Sequence, residues 1–187
     1  MTSPQYRSRA DIIDGVQCRT LEMNHDSRGC FTEVFSQNWR LAFEPVQWSI
    51  VTSHPKALRG MHLHLRHDEY IMIIRGRASV GLYDLRPDSP TKCVSSLIEL
   101  DDAKLSYLFF PRGILHGWYF YEESIHLQGV SECYNDYSGD DNLGCHWSDP
   151  ALGIPWPDPT PVVSTRSASF PTLNELVQAL GRKGVGE

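Results

Sequence analysis

No two cysteines in this chain form a C-x2-C pair, and the five present (Cys18, Cys30, Cys93, Cys133, Cys145) are odd in number and widely spaced. That pattern argues against a disulfide framework and favours reduced thiols in a cytoplasmic protein. Runs of lysine or arginine are also missing, and the formal net charge is −6, so nucleic acid is not an expected partner. An anionic small ligand stays open if a few arginines converge. No segment approaches the ~20 apolar residues of a membrane span, and Met1 to Asp14 lacks an apolar signal-peptide core, so no membrane partner is expected. Long helical periods, internal repeats and low-complexity stretches are absent. Neither Asp101-Asp102 nor Asp140-Asp141 has the partner spacing of a calcium loop, and both read as solvated turns.

What the chain does hold is an ordinary globular composition of 187 residues, 41% hydrophobic and 21% charged, sufficient for one well-filled core and one domain over 1–187. Short strand-like segments recur at roughly 8 to 12 residue spacing, which predicts an all-β barrel or sandwich. They are Val16 to Leu21, Cys30 to Phe35, Val46 to Ser53, the two flanks of a histidine-rich bend, Ala78 to Leu85, Val94 to Leu100, Leu105 to Phe110, the run from His116 through Trp118 to Tyr121, and Ile125 to Ser131. Val16 to Leu21 and Cys30 to Phe35, separated by turn residues 23–29, are expected as a hairpin or short connected pair. Residues 1–10 are polar and expected to be loose. Residues 134–171 are too irregular for strands, but Trp147, Ile154 and Trp156 imply a tail packed on the barrel. One helix is predicted over 172–180. Thr172 and Glu175 make a capping box, Leu173, Leu176, Val177 and Leu180 share a face, and Gly181 follows.

Chemistry concentrates between Gly60 and Gly76. His62 and His64 are two apart, so on an extended strand their imidazoles share a face. Strict alternation would send Glu69 to the opposite face, unless Leu65-Arg66-His67-Asp68 turns the chain and restarts the alternation on a second strand. Glu69, Ile71 and Ile73 then share one face, and Tyr70, Met72 and Ile74 the other. A carboxylate heading a strand apolar on both faces needs a partner. Pro111-Arg112-Gly113-Ile114-Leu115-His116 offers one, a turn feeding a strand with a histidine at its mouth. His25, His54, His67 and His146 stand in polar or turn-like context and are expected at the surface.

These two segments, G-x-H-x-H-x4-E-x6-G and P-x-G-x2-H, resemble the paired signatures of the cupin superfamily. The resemblance implies a jelly-roll barrel with a short C-terminal helix, and His62, His64, Glu69 and His116 as ligands of a divalent metal. Imidazole and carboxylate suit Fe, Mn, Ni, Zn or Cu without choosing among them. A second likeness is spread along the chain, in Asp26-Ser-Arg28-Gly29-Cys-Phe31-Thr-Glu33, Val46-Gln47, Leu58-Arg59-Gly60-Met61-His62, Asp84-Leu85-Arg86, Ser89-Pro90-Thr91, Pro111 to Gly117 and Trp147 to Pro157. In this order they resemble the dTDP-4-dehydrorhamnose 3,5-epimerase family.

That family resemblance implies a homodimer and a nucleotide-linked 4-keto-6-deoxy sugar as ligand, epimerised by proton transfer next to the carbonyl. It implies His62 as the catalytic base and Arg28, Glu33, Gln47, Arg59, Tyr137 and Arg166 as substrate contacts, the arginines suiting a diphosphate. The rest of the family's catalytic set is altered here. Its lysine position is Glu69, its tyrosine position Ser131 (Gln128 in a shifted register), and its aspartate position Ser167. A glutamate reverses the charge beside a developing enolate, so a bound cation is expected to replace the lysine. His62 cannot be metal ligand and base at once; Tyr70, His126 and Glu132 are the other candidate bases. The alternatives are a sugar-nucleotide-binding relative without catalysis, and a metal-dependent cupin, such as an oxygenase, acting on another small molecule.

Overall fold

The computed structural model describes residues 5–7, 13–39, 41–137 and 141–183. Its strands are β1 (Gln5–Arg7), β2 (Gln17–Thr20), β3 (Asn24–Asp26), β4 (Gly29–Phe31), β5 (Gln47–Ser53), β6 (Leu58–Leu63), β7 (Glu69–Arg75), β8 (Arg77–Asp84), β9 (Val94–Asp101), β10 (Ser106–Phe110), β11 (Ile114–Phe120), β12 (Ser124–Val130) and β13 (Leu143–Gly144). Three helices follow β12 in the chain: α1 (Tyr134–Tyr137), α2 (Thr165–Ala168) and α3 (Leu173–Lys183). One sheet has the order β1-β9-β8-β11-β6-β13 and the other β2-β10-β7-β12-β5. Together they form the all-β cupin jelly roll with a short C-terminal helix. No described helix is long and apolar enough to cross a membrane.

Alternation sorts the side chains into layers. Ile71 and Ile73 of β7, Ala78, Val80 and Leu82 of β8, Leu108 and Phe110 of β10, and Trp118 and Phe120 of β11 form the core between the sheets. Tyr70, Met72, Tyr107 and Phe109 point the other way, into a cluster under Phe43, Phe35 and Trp39. The aromatic run after His116 is thus split, with Trp118 and Phe120 inside and Tyr119 outside the core cluster. Tail residues Trp147, Leu152, Ile154 and Trp156, with Leu173 and Leu176 of α3, cover Met61, Leu63, Tyr83 and Leu115. Trp156 packs against Gly81, where a Cβ would come within 2.6 Å of its ring.

Four local expectations change. Gln5–Arg7 is not loose but pairs in parallel with Val94 to Ser96, because an open sheet edge recruits backbone amides whatever the side chains are. The N-terminal hairpin is not Val16 to Leu21 against Cys30 to Phe35. β2 pairs with β10, and β3 and β4 make the hairpin from within the turn-rich stretch itself. The tail contributes one short strand, β13, on the edge of β6. Helix α3 starts where the Thr172 box places it and runs on to Lys183 through Gly181, since an exposed glycine lowers helix stability by only about 1 kcal/mol.

Candidate active site

The site begins with two glycines. A Cβ on Gly60 would lie 2.5 Å from Cα of Gly117, so β6 and β11 approach more closely there than side chains allow. Gly60 also holds φ at +130°. The approach sets His62 directly across from His116 in the ladder, with the register slipping just beyond, between His116 and Trp118. The bend at residues 64–68 then reverses the chain, and β7 opens with Glu69 facing inward in the same layer as Ile71 and Ile73. Polar replaces apolar at that end of the interior.

There Glu69, 2% exposed, is surrounded by imidazole. Its Oε1 lies 3.4 Å from Nε2 of His64 and 3.5 Å from Nε2 of His67, and its Oε2 lies 3.4 Å from Nε2 of His116. Gln128 of β12 donates to Oε1 at 3.0 Å. His67 corrects a sequence expectation: it is not at the surface but 1% exposed, its ring centre 4.0 Å from that of His64. Burial follows from Asp141, whose carboxylate accepts from the amides of Leu65 and Arg66 at 2.6 and 3.0 Å and faces Nδ1 of His67 at 3.0 Å. The carboxylate folds the bend inward. The only hint in the chain was the spacing His64-x2-His67-x-Glu69; Asp141, distant in sequence and read as a solvated turn, gave none.

Of the expected ligand set His62, His64, Glu69, His116, the last three meet, and His67 lies beside them. His64, His67 and Glu69 offer ligand atoms all within 4.8 Å of one another, and His116 faces the second carboxylate oxygen. His62 stands to one side, its ring centre 6.0 Å from His116 and 6.4 Å from His64, half-buried against Phe170 and Trp118. Alternation fails as a guide here because the backbone of β6 is distorted at Gly60, and the bend, not the strand, supplies the third imidazole.

Burial, reinforced by His116 and His64, pushes the His62 imidazole down to about 3. His116 is also pushed down by burial, against the pull of Glu69. Burial would raise Glu69, but His116, a hydrogen bond from His67 and the charge of His64 hold it below the ordinary carboxylate range. One contact thus carries opposite demands: the carboxylate requires positive charge beside it, and burial withholds that charge from the ring.

Among the other candidate bases, Tyr70 faces away from the interior and donates to the carbonyl of Val34, and Glu132 pairs with Arg66 at the rim. His126 is interior, accepting at Nε2 from Trp118 at 3.2 Å. At the altered family positions, Ser131 accepts from the Asp68 amide and Ser167 is buried against Ser164. Gln128, not Ser131, reaches the interior.

The substrate set is dispersed. Arg28 is exposed on the β3–β4 hairpin and pairs with Asp26 at 2.6 Å. Glu33 lines an open cleft with Arg19, Phe31, Trp39 and Tyr107. On β5 the Gln47 side-chain oxygen Oε1 accepts from the Tyr134 backbone amide at 3.0 Å. Arg59 donates to Ser53 Oγ and the Thr52 carbonyl. Arg166 lies over Phe170 and donates to the Asn142 carbonyl, near enough to His62 to act on it electrostatically. Tyr137 ends α1, and its side chain lies outside the described residues.

With this geometry, the likenesses to known proteins become specific. The profile of the dTDP-4-dehydrorhamnose 3,5-epimerase family matches residues 11–175. This chain belongs to that family. Among its relatives is the spore coat polysaccharide biosynthesis protein SpsL of Bacillus subtilis, 30% identical over 151 residues that span 78% of this chain and 97% of that one. A dTDP-4-dehydrorhamnose 3,5-epimerase of Sinorhizobium fredii is 30% identical over 163 residues, 81% of each chain. The crystal structure of ChmJ, a 3'-monoepimerase from Streptomyces bikiniensis in complex with dTDP-quinovose, superimposes with a TM-score of 0.81 at 26% identity, covering 90% of this chain and 88% of ChmJ. The pairing of β6 with β11 sets His62 opposite His116, while Glu69 and its imidazoles lie beside them.

Proposed function

We propose that this protein epimerises a nucleotide-linked 4-keto-6-deoxy sugar, with His62 taking a proton from the carbon next to the carbonyl. The observation that carries the reading is the position of His62, half-buried in the interior of a dTDP-sugar epimerase barrel yet clear of the Glu69 cluster, so the ring is available as a base. Arg59 and Arg166 offer guanidinium groups suited to a diphosphate. A divalent cation beside Glu69 would supply the electrophile that the altered lysine position lacks, polarising the carbonyl oxygen.

A homodimer is part of this reading. Phe31 (66% exposed), Val46, Trp48 and Ile50 (68% exposed) leave apolar side chains along β4 and β5 that a second copy would cover. The absence of a disulfide among the described cysteines is in keeping with a reducing, cytoplasmic setting.

Incubation with a dTDP-4-keto-6-deoxy sugar in D2O, followed by NMR, tests the reading. Deuterium entering at carbon three or five supports it. Tight dTDP binding without exchange overturns it in favour of a sugar-nucleotide-binding relative, a reading favoured by Ser131, Ser167 and Gln128, none of which offers a titratable proton. Oxygen consumption with ferrous iron and no dTDP affinity would make the protein a metal-dependent cupin with another substrate.

A further inference from the structure

Three imidazoles approach Glu69 with the same end of the ring; at the other end His64 and His116 are tied by hydrogen bonds and His67 faces a carboxylate. Nδ1 of His64 lies 2.5 Å from the Asp141 carbonyl oxygen, Nδ1 of His116 lies 3.0 Å from the Ile114 carbonyl oxygen, and Nδ1 of His67 lies 3.0 Å from the Asp141 carboxylate. Carbonyl oxygens accept hydrogen bonds, so in the neutral rings of His64 and His116 the proton sits on Nδ1 and a bare lone pair on Nε2. Both lone pairs then point at a carboxylate, which repels them. Oε2 of Glu69 and Nε2 of His116, both buried, make no hydrogen bond among the described residues. Buried acceptors gathered around one point in this way call for a cation to join them.

Charge balance leads to the same place. Glu69 and Asp141 are each 2% exposed. Their contacts among the described residues are backbone amides, the Gln128 amide and imidazoles, with no lysine or arginine side chain paired to either. Two buried negative charges without permanent positive partners match one dication.

We propose that His64, His67 and His116 through Nε2, with the carboxylate of Glu69, hold one divalent metal ion, that Asp141 orients His64 and His67 from outside, and that His62 is not a ligand. Ligating histidines characteristically give their second ring nitrogen to a carbonyl or carboxylate, the arrangement His64 and His116 show here. The donor set is nitrogen and oxygen without thiolate, suited to Zn, Fe, Mn, Co or Ni. The ligand atoms of His64, His67 and Glu69 lie within 4.8 Å of one another, a wider spread than the roughly 3 to 4 Å between ligands of a tetrahedral site with ~2.1 Å bonds, so these side chains and His116, which faces the second carboxylate oxygen, would draw in. The site goes beyond the epimerase reading and stands whether or not the chain epimerises a sugar.

The test uses the full chain, purified without a nickel column, stripped with chelator, confirmed folded by circular dichroism and titrated with Co2+ and Zn2+. The expected result is one ion per chain by calorimetry, visible Co2+ d–d bands, and X-ray absorption fitted by three imidazoles. His67→Asn and Glu69→Gln should weaken Co2+ binding at least about 10-fold, and Asp141→Asn about 10- to 100-fold, while His62→Asn leaves it unchanged. Folded wild-type apo protein that takes up neither ion overturns the proposal and leaves the cluster as a protonated imidazolium network. Co2+ binding lost in His62→Asn but retained in His67→Asn overturns the ligand assignment.

Discussion

Gln128 donates its amide proton to Oε1 of Glu69 at 3.0 Å, linking the neighbouring strands β12 and β7 on the interior face of their sheet. That bond fixes the carboxylate so that its other oxygen faces His116. Replacing Gln128 with Leu should leave a buried carboxylate short of its one amide donor. The expected loss is about 1.5–3 kcal/mol, the range for hydrogen bonds to charged groups, read as a lower urea midpoint at unchanged slope. An unaltered midpoint would mean that Glu69 takes its support elsewhere.

His62 is predicted to be required for proton exchange but not for nucleotide binding. His62→Asn should slow deuterium uptake at least about 100-fold and leave dTDP affinity within a factor of about three. Equal losses in both would assign the ring to ligand binding.

Asp84, fully buried, accepts from Arg86 Nε and Nη2, Ser89 Oγ and Thr91 Oγ1 at 2.6 to 2.9 Å. Burial alone would raise its carboxyl, but the bonds from Arg86, Ser89 and Thr91 hold it below the usual range. A folded-state value depressed in this way adds stability that is present above the unfolded value of about 3.9 and fades as pH falls through the folded one. Asp84→Asn should therefore be less stable than wild type by about 3 kcal/mol at pH 7, with the gap closing below about pH 4. Denaturation midpoints between pH 3 and 7 give the comparison; a constant gap would refute the linkage.

Gly60→Ala should be among the most damaging single changes. The added methyl meets Gly117 Cα, and φ of +130° is strained for alanine, so a loss above about 2 kcal/mol is expected. Because the same contact sets His62 opposite His116, exchange activity should fall by more than the unfolded fraction accounts for.

Much of the barrel was legible because strand alternation is local. Glu69 inward with Ile71 and Ile73, and Tyr70 outward with Met72, follow from a period of two once the bend is placed. The Thr172–Glu175 box likewise marks the start of α3 in four residues. The hairpin at Asn24 to Phe31 was misplaced because β2 finds its partner in β10, more than eighty residues on, and no local pattern reports that pairing.

By itself the sequence determined the jelly roll, the family, and the meeting of His64, Glu69 and His116, since each rests on spacing within a strand or on an ordered series of motifs. Only the tertiary structure decided that His67 joins them and His62 stands apart. The deciding group is Asp141, seventy-four positions after His67, whose buried carboxylate draws the bend inward. A contact of that kind is made by folding, between residues whose neighbours in the chain give no sign of one another.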